Sequence, residues 1–328
     1  TISVKISSIC AQLNPLAWDA SMERVCEALE RLYCIAMTEG READKLVMLD
    51  MEAYRDLELT YRAFMKALSK PEYLSLRAGI VLQAYLPDSH AVQAELIDWA
   101  KERVAKGGAA IQMRLVKGAN LAVERVESSL MDWTNPIYES KQLVDASFKE
   151  MVGRALTVDN LGAVKLGVAS HNLFDVAYVE CLIHVRGLDE GLHFEVLAGM
   201  AGPLTRALLA LNREVLVYSP AVAVKYLHAA VAYLVRRMDE NTSDENFLRH
   251  SFDMQPGDDA WNRQRASFLE SRRLQDGLCI KPRRQPRPEA LGDTAAQTST
   301  FKNEPDTDFV VRGNREWIHK HLEQVYEQ

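Results

Sequence analysis

Short cysteine spacings are absent from this chain, and with them two of the simplest ways to stabilise or arm a fold. Its five cysteines, Cys10, Cys26, Cys34, Cys181 and Cys279, are odd in number and form no CxxC pair, so neither a disulfide framework nor a zinc site is indicated. A reducing, cytoplasmic setting is expected. An excess of basic residues is also missing, since Asp and Glu number 46 against 39 Lys and Arg. The resulting net charge of -7 argues against a nucleic-acid surface. No apolar run approaches membrane-spanning length, and the first residues lack the basic-then-apolar order of a signal peptide. Nucleotide and hydrolase signatures are lacking too: there is no P-loop, no GxSxG and no HExxH. GxGxxG is absent as well, and the Gly107-Gly108 pair precedes a strand-like run instead of following one.

What is present is a regular alternation. The 328 residues, 48% of them hydrophobic, can bury one large core. Seven apolar runs read as strands: Ile2 to Ile6, Leu46 to Leu49, Ile80 to Tyr85, Ala110 to Val116, Val164 to Ala169, His193 to Leu197 and Val215 to Tyr218. Between them, stretches such as Ser21 to Thr38, Glu58 to Leu68 and His90 to Lys106 carry apolar residues at helical spacing. Continuous runs separated by helices imply parallel strands covered on both sides. The expected fold is therefore α/β, a (βα)8 TIM-like barrel of which seven strands are visible, occupying residues 1–280. From Lys281 the composition shifts to Pro, Arg, Ala and Thr, which reads as an extended linker, and Asn314 to Gln328 can form a helix again.

Hydrogen-bonding side chains gather where the runs end, which in a parallel barrel is the face that carries the active site. Lys5 lies within the first run, Asp50 follows the second and Gln83 lies in the third. Arg114 and Lys117 flank the end of the fourth, His171 and Asn172 close the fifth, and Tyr218 closes the seventh. Farther on, Tyr233, Arg236, Arg237 and Glu240 fall at i, i+3, i+4 and i+7 after an apolar helical stretch from Leu227, and so share one face. Two guanidinium groups side by side suit a carboxylate or a phosphate. The ordinary alternative is a solvated last turn in which the arginines complement the helix dipole.

Several segments, taken in order, resemble the flavin barrel of proline dehydrogenase, specifically that of the bifunctional proline utilization A proteins. They are Ser3-Val-Lys-Ile-Ser7, Leu49-Asp-Met-Glu52, Val81-Leu-Gln-Ala-Tyr85, Arg114-Leu-Val-Lys-Gly-Ala119 and Ala169-Ser-His-Asn172, then Phe194-Glu-Val-Leu-Ala-Gly-Met200, Val217-Tyr-Ser-Pro220 and the YLVRRMDEN helix. The resemblance covers most of residues 1 to about 250. The tail, Phe301 to Asp308 and Asn314-Arg-Glu-Trp317, resembles the lead-in to an aldehyde-dehydrogenase half that this chain does not contain. The resemblance implies oxidation of L-proline to Δ1-pyrroline-5-carboxylate with FAD as cofactor, NAD serving only the second half. It also implies a quinone electron acceptor, reached from a position peripheral to the inner membrane.

In the same way it implies roles for residues. Arg236 and Arg237 would clamp the proline carboxylate with Lys5 adding positive charge, Tyr218 and Tyr233 would wall the pocket, and Leu197 would pack on the ring. Asp50 would hydrogen-bond within the site. Arg114, Val116, Lys117, Gly118 and Ala119 would approach the flavin and its phosphates, Gln83 its polar edge, and His171 and Asn172 its distant part. Glu240 would fix Arg237 or the ribityl side. Each has a plainer alternative: Asp50 as a helix cap, Gln83 as a satisfied core amide, His171-Asn172 as a polar turn, Lys117-Gly118 as an ordinary loop, and the tyrosines as core aromatics. Lys5 is hardest to explain that way, because a lysine in an apolar strand must be paired or reach out to water.

Departures from the family pattern are the lack of a counterpart to its first strand, Asn120 after the Gly-Ala turn, and Ala198 where an aromatic or His is often found. The last two would leave the pocket roomier or differently gated. A first strand lying outside the chain would make it part of a longer bifunctional protein. Two other readings stay open: a catalytically silent flavin barrel serving as scaffold for the aldehyde-dehydrogenase half, and a phosphate-binding barrel of other chemistry.

Overall fold

The computed structural model describes residues 1–38, 45–188, 190–242, 246–251, 253–286 and 304–326, with the backbone alone for residues 232, 236, 239–241 and 326. Seven strands form one sheet: β1 (Ile2–Lys5), β2 (Val47–Asp50), β3 (Ala78–Gln83), β4 (Ile111–Val116), β5 (Val164–Ala169), β6 (Leu192–Leu197) and β7 (Val215–Tyr218). Every neighbouring pair is parallel and the spatial order is the sequence order. This is the curled sheet of an α/β barrel, with β1 and β7 each paired on one side. All seven expected runs are strands, displaced by at most two residues at an end.

The helices, in chain order, are α1 (Ile6–Ile9), α2 (Trp18–Thr38), α3 (Leu57–Leu68), α4 (Ser89–Ala105), α5 (Leu121–Leu130), α6 (Lys141–Ala155), α7 (Val158–Ala163) and α8 (Leu173–Arg186). They continue with α9 (Gly202–Ala210), α10 (Leu227–Thr242), α11 (Phe247–Ser251), α12 (Asp259–Gln275) and α13 (Arg312–Tyr326). Side chains alternate across a strand. On β4, Ile111, Met113 and Leu115 join the apolar core, while Gln112 and Arg114 turn to the inner face. The inner face is thus the polar one. Gly79 on β3 shows how tightly it is filled, since a Cβ there would stand 2.6 Å from Met48 Sδ and 3.0 Å from Gln112 Cβ. With that glycine near its start, the third strand begins and ends two residues earlier than the expected run from Ile80 to Tyr85.

The segment from Lys281 differs from the extended linker expected of it. Arg284 is buried against the barrel: it donates to Thr134 O at 2.8 Å and Ser128 Oγ at 2.9 Å, pairs with Asp308 at 2.9 Å, and lies over the Tyr54 and Trp133 rings. A guanidinium satisfied on every side fixes residues 281–286 to the fold. Leu291 to Thr300 and the start of the tail at Phe301 lie outside the described residues. The final helix is α13, whose Arg315 pairs with Glu58 and stacks on Trp18 at 4.2 Å.

The helix bearing the paired arginines also differs from expectation. Its apolar stretch buries Ala230, but Leu227 and Val231 are 59% and 51% exposed. The physical reason is its position after β7, which has a sheet neighbour on one side.

Candidate active site at the strand ends

Register brings the carboxyl ends of the strands level. Lys5 stands opposite Asp50, Gln83 opposite Val116, and Leu197 opposite Tyr218. Lys5 is paired, as a lysine in such a strand must be, through Nζ to Glu52 Oε1 at 3.2 Å. Glu52 also takes a hydrogen bond from Ser7, and its carbonyl accepts from the Gln83 amide at 3.1 Å. One loop after β2 therefore ties together the ends of β1 and β3. Gln83 is buried and its Oε1 has no hydrogen-bond partner among the described residues.

Arg114 is the centre of the inner face. Its Nε donates to Glu195 Oε2 at 2.5 Å, Nη1 stands 3.8 Å from Asp50 Oδ1, and the guanidinium lies 4.0 Å from the centre of the Tyr218 ring. Among the described residues Nη2 has no hydrogen-bond partner. Burial raises the Asp50 carboxyl above its ordinary range, although Arg114 and Lys5 pull the other way. Burial and the neighbouring Glu195 push the Tyr218 phenol up to about 12, so it stays protonated. Asp50 is the last residue of β2 and caps no helix, although its Oδ1 accepts from the Met51 N–H at 3.2 Å.

Lys117 lies elsewhere than a free phosphate ligand would. Its ammonium sits between Asp145 Oδ1 at 2.5 Å and Asp175 Oδ2 at 2.6 Å, aspartates supplied by α6 and α8. Burial works against the charge, but the two aspartates raise Lys117 above an ordinary lysine. Gly118 follows with φ +123°, and a Cβ there would meet the Tyr85 ring at 2.5 Å. Both the backbone and the underlying ring require glycine. Ala119 is exposed and Val116 half-buried beside this turn.

His171 Nε2 accepts from the Leu197 N–H at 3.1 Å, and burial lowers its pKa, so it is a neutral ring bracing the end of β6. Asn172 caps α8 by accepting from Phe174 N–H at 2.9 Å. On α10, Arg237 lies over the Tyr233 ring at 5.3 Å. Arg236 and Glu240 are on the same helix, but their side chains lie outside those described.

Glu195, Glu52, Asp145 and Asp175 were assigned no role from sequence. Glu195 carried the same flag as Lys5, a charge inside an apolar run. The two aspartates carried none, because their partner is 28 and 58 residues away.

A parallel α/β sheet with a polar, incompletely satisfied cluster at its strand ends has the layout of a barrel enzyme. The family described as proline dehydrogenase matches residues 1–250, and the chain belongs to it. Among solved structures, Proline Utilization A (PutA) from Corynebacterium freiburgense is 37% identical with a TM-score of 0.81, over 97% of this chain and 30% of that one. The "Bifunctional protein PutA" of Rhizobium meliloti is 30% identical over 179 residues, 52% of this chain and 13% of that protein. The "Hydroxyproline dehydrogenase" of Bos taurus is 29% identical over 165 residues, 49% of this chain and 34% of that protein. The matches thus span about a third or less of these relatives. No helix among the described residues is long and apolar enough to cross a membrane.

Proposed function

We propose that this chain carries out the FAD-dependent oxidation of L-proline to Δ1-pyrroline-5-carboxylate, the first step from proline towards glutamate. The observation that carries the reading is the unfinished polar network of a proline dehydrogenase family member, in which buried Gln83 and Arg114 each keep an atom with no hydrogen-bond partner among the described residues. Buried polar groups are normally satisfied, so such atoms point to a ligand. The residues suit a flavin. Gln83 and Arg114 would meet its polar ring, Gly118 and Ala119 would lie along its backbone-facing side, and His171, Asn172 and Leu197 would support the opposite edge, with Glu240 near the ribityl chain. Lys117, already neutralised by two aspartates, would act by fixing the Gly118 turn. When bound, FAD would supply a hydride acceptor for the far ring carbon of proline, the one bonded to nitrogen and remote from the carboxylate.

Arg236 and Arg237 would hold the substrate carboxylate, and Tyr218 and Tyr233 would bound the ring. Lys5, with Arg114 and the two arginines, favours the neutral substrate amine, the form from which hydride can depart. The bifunctional PutA relative supports a full-length protein in which an aldehyde-dehydrogenase half uses NAD on the product. A quinone acceptor, and with it a peripheral membrane position, belongs to the same reading. Replacing Arg237 by Met should raise KM for proline roughly thirtyfold or more, the worth of about 2 kcal/mol in a charge-assisted pair, with bound flavin unchanged. A yellow protein bleached by proline supports the reading. An unchanged KM, or a protein that proline does not bleach, counts against it.

A further inference from the structure

Glu195 plays no part in the reading above, yet it lies at the middle of the inner face. It is 2% exposed, on a strand whose other members are mostly apolar. A carboxylate so buried has to be compensated, and it is, from both sides. Oε2 accepts from Arg114 Nε at 2.5 Å, while Oε1 is 2.8 Å from His193 Nε2 and 3.4 Å from the Gln112 amide nitrogen. Burial would push this carboxyl up, but the His193 hydrogen bond and the Arg114 charge overcome it and hold it below the usual carboxylate range. It is therefore ionised at neutral pH.

The space for it is made by the neighbouring strand. Gly167 on β5 stands in register with Arg114 on one side and His193 on the other, and a Cβ at 167 would overlap Glu195 Oε1. Its backbone is not left-handed, so room for the carboxylate is what the glycine provides. Nε is taken by Glu195, which leaves the two terminal nitrogens of Arg114 for other partners. Nη1 faces Asp50 at 3.8 Å, and among the described residues Nη2 makes no hydrogen bond.

We propose that Glu195 is a positioning residue: it grips Arg114 at Nε, holds the guanidinium flat against the Tyr218 ring, and so presents Nη2 to the flavin with its charge partly offset. Gln112, His193 and Gly167 form the seat for that carboxylate. The inference rests on the flavin reading above, and its test separates the two.

The full chain, stripped of flavin, is titrated with FAD and the midpoint potential of the bound flavin is measured. Wild type is compared with Glu195→Gln, Arg114→Met and the double variant. Glu195→Gln keeps the shape and removes the charge. It should weaken FAD binding roughly tenfold or more, as expected for one charge-assisted hydrogen bond. It should also raise the flavin potential, because a less compensated Arg114 favours the more negative reduced flavin. On the Arg114→Met background the same change should move neither quantity. Gly167→Ala, which alters no charge but displaces Glu195, should weaken FAD binding in the same direction and keeps the test open if Glu195→Gln does not fold. An equal loss of affinity with and without Arg114 would show a packing role only and overturn the proposal. So would wild-type affinity and potential in Glu195→Gln. A wild-type chain that takes up no FAD overturns the proposed function, and this inference with it.

Discussion

Two charged clusters stand beside each other on the strand ends, and they are finished to different degrees. In the cluster around Lys117 every charge meets an opposite one. Lys117 lies between Asp145 and Asp175, Lys149 pairs with Asp175 at 3.0 Å, and Lys141 pairs with Asp145 at 2.5 Å. Aromatic rings close it from outside, Phe148 near Lys117 at 5.7 Å and Phe268 near Lys149 at 4.8 Å. In the cluster around Arg114, three residues earlier on the chain, the charges are also buried but the network stops short: among the described residues Arg114 Nη2 and Gln83 Oε1 have no hydrogen-bond partner, whereas Asp145 Oδ1, which also makes none, lies 2.5 Å from the opposite charge of Lys117. A closed network has no chemistry left to offer and serves the fold. An open one holds donors and acceptors that something else must satisfy. On the proposed function, the seam between β4, α6 and α8 would do structural work and the inner face would hold the ligand.

The largest effect that would break this contrast is expected at Lys117. Lys117→Met leaves Asp145 and Asp175 facing one another in a buried seam, and should cost about 3–5 kcal/mol in urea unfolding at pH 7. Both carboxyls lie below their ordinary range in the fold, chiefly because Lys117 outweighs their burial. Their contribution is then complete above the ordinary Asp value of about 3.9 and is lost as pH falls below it. In the variant that sign reverses, because protonation relieves the repulsion. Its deficit should shrink as pH drops from 7 to 4. A variant as stable as wild type at pH 7 would mean that the seam is not closed in the way described.

Gln83 sharpens the contrast from the other side. Gln83→Leu removes an amide whose oxygen has no hydrogen-bond partner among the described residues and whose nitrogen donates to Glu52 O. The stability cost should be about 1 kcal/mol or less. If FAD is the ligand of this face, flavin content should fall much more than stability. Equal losses in both would place Gln83 with the structural residues.

How much of this was legible in the sequence follows the same division. The strands were legible because each is an apolar run bounded by helical spacing, and even the four-residue Val215 to Tyr218 kept its limits. Lys5 was legible as a charge needing a partner, although nothing named Glu52 as that partner. Glu195 should have been legible on the same ground, since a glutamate between Phe194 and Val196 is as anomalous as a lysine in β1. The Lys117 seam was not, because Asp145 and Asp175 sit on helices far from Lys117 in sequence, and only the fold carries them to the end of β4. Gly118 was read as permitting approach to a ligand, whereas its φ and the Tyr85 ring demand glycine before any ligand is considered. Arg284 was read as linker because Pro and Arg surround it, and its burial comes from Trp133, Tyr54 and Asp308, all distant in sequence.

The smallest expected effect lies at Asp50, and its sign is what makes it informative. Asp50 belongs to the open cluster, and burial raises its carboxyl even though Arg114 and Lys5 oppose the shift. A carboxyl raised in the fold favours the folded state fully below its unfolded value, and that contribution is lost as pH rises through the folded value. This is opposite to the pH dependence of Asp145 and Asp175. Asp50→Asn cannot ionise, so it should remove that part of the decline and leave stability at pH 7 to 8 unchanged or higher by up to about 1 kcal/mol, with no gain at pH 4. Thermal or urea unfolding of both proteins across that range measures it. A loss of several kcal/mol at pH 7 would show Asp50 to be a paired structural carboxylate like Asp175. The inner face would then be as closed as the seam beside it, and the unpaired atoms of Arg114 and Gln83 would need another account.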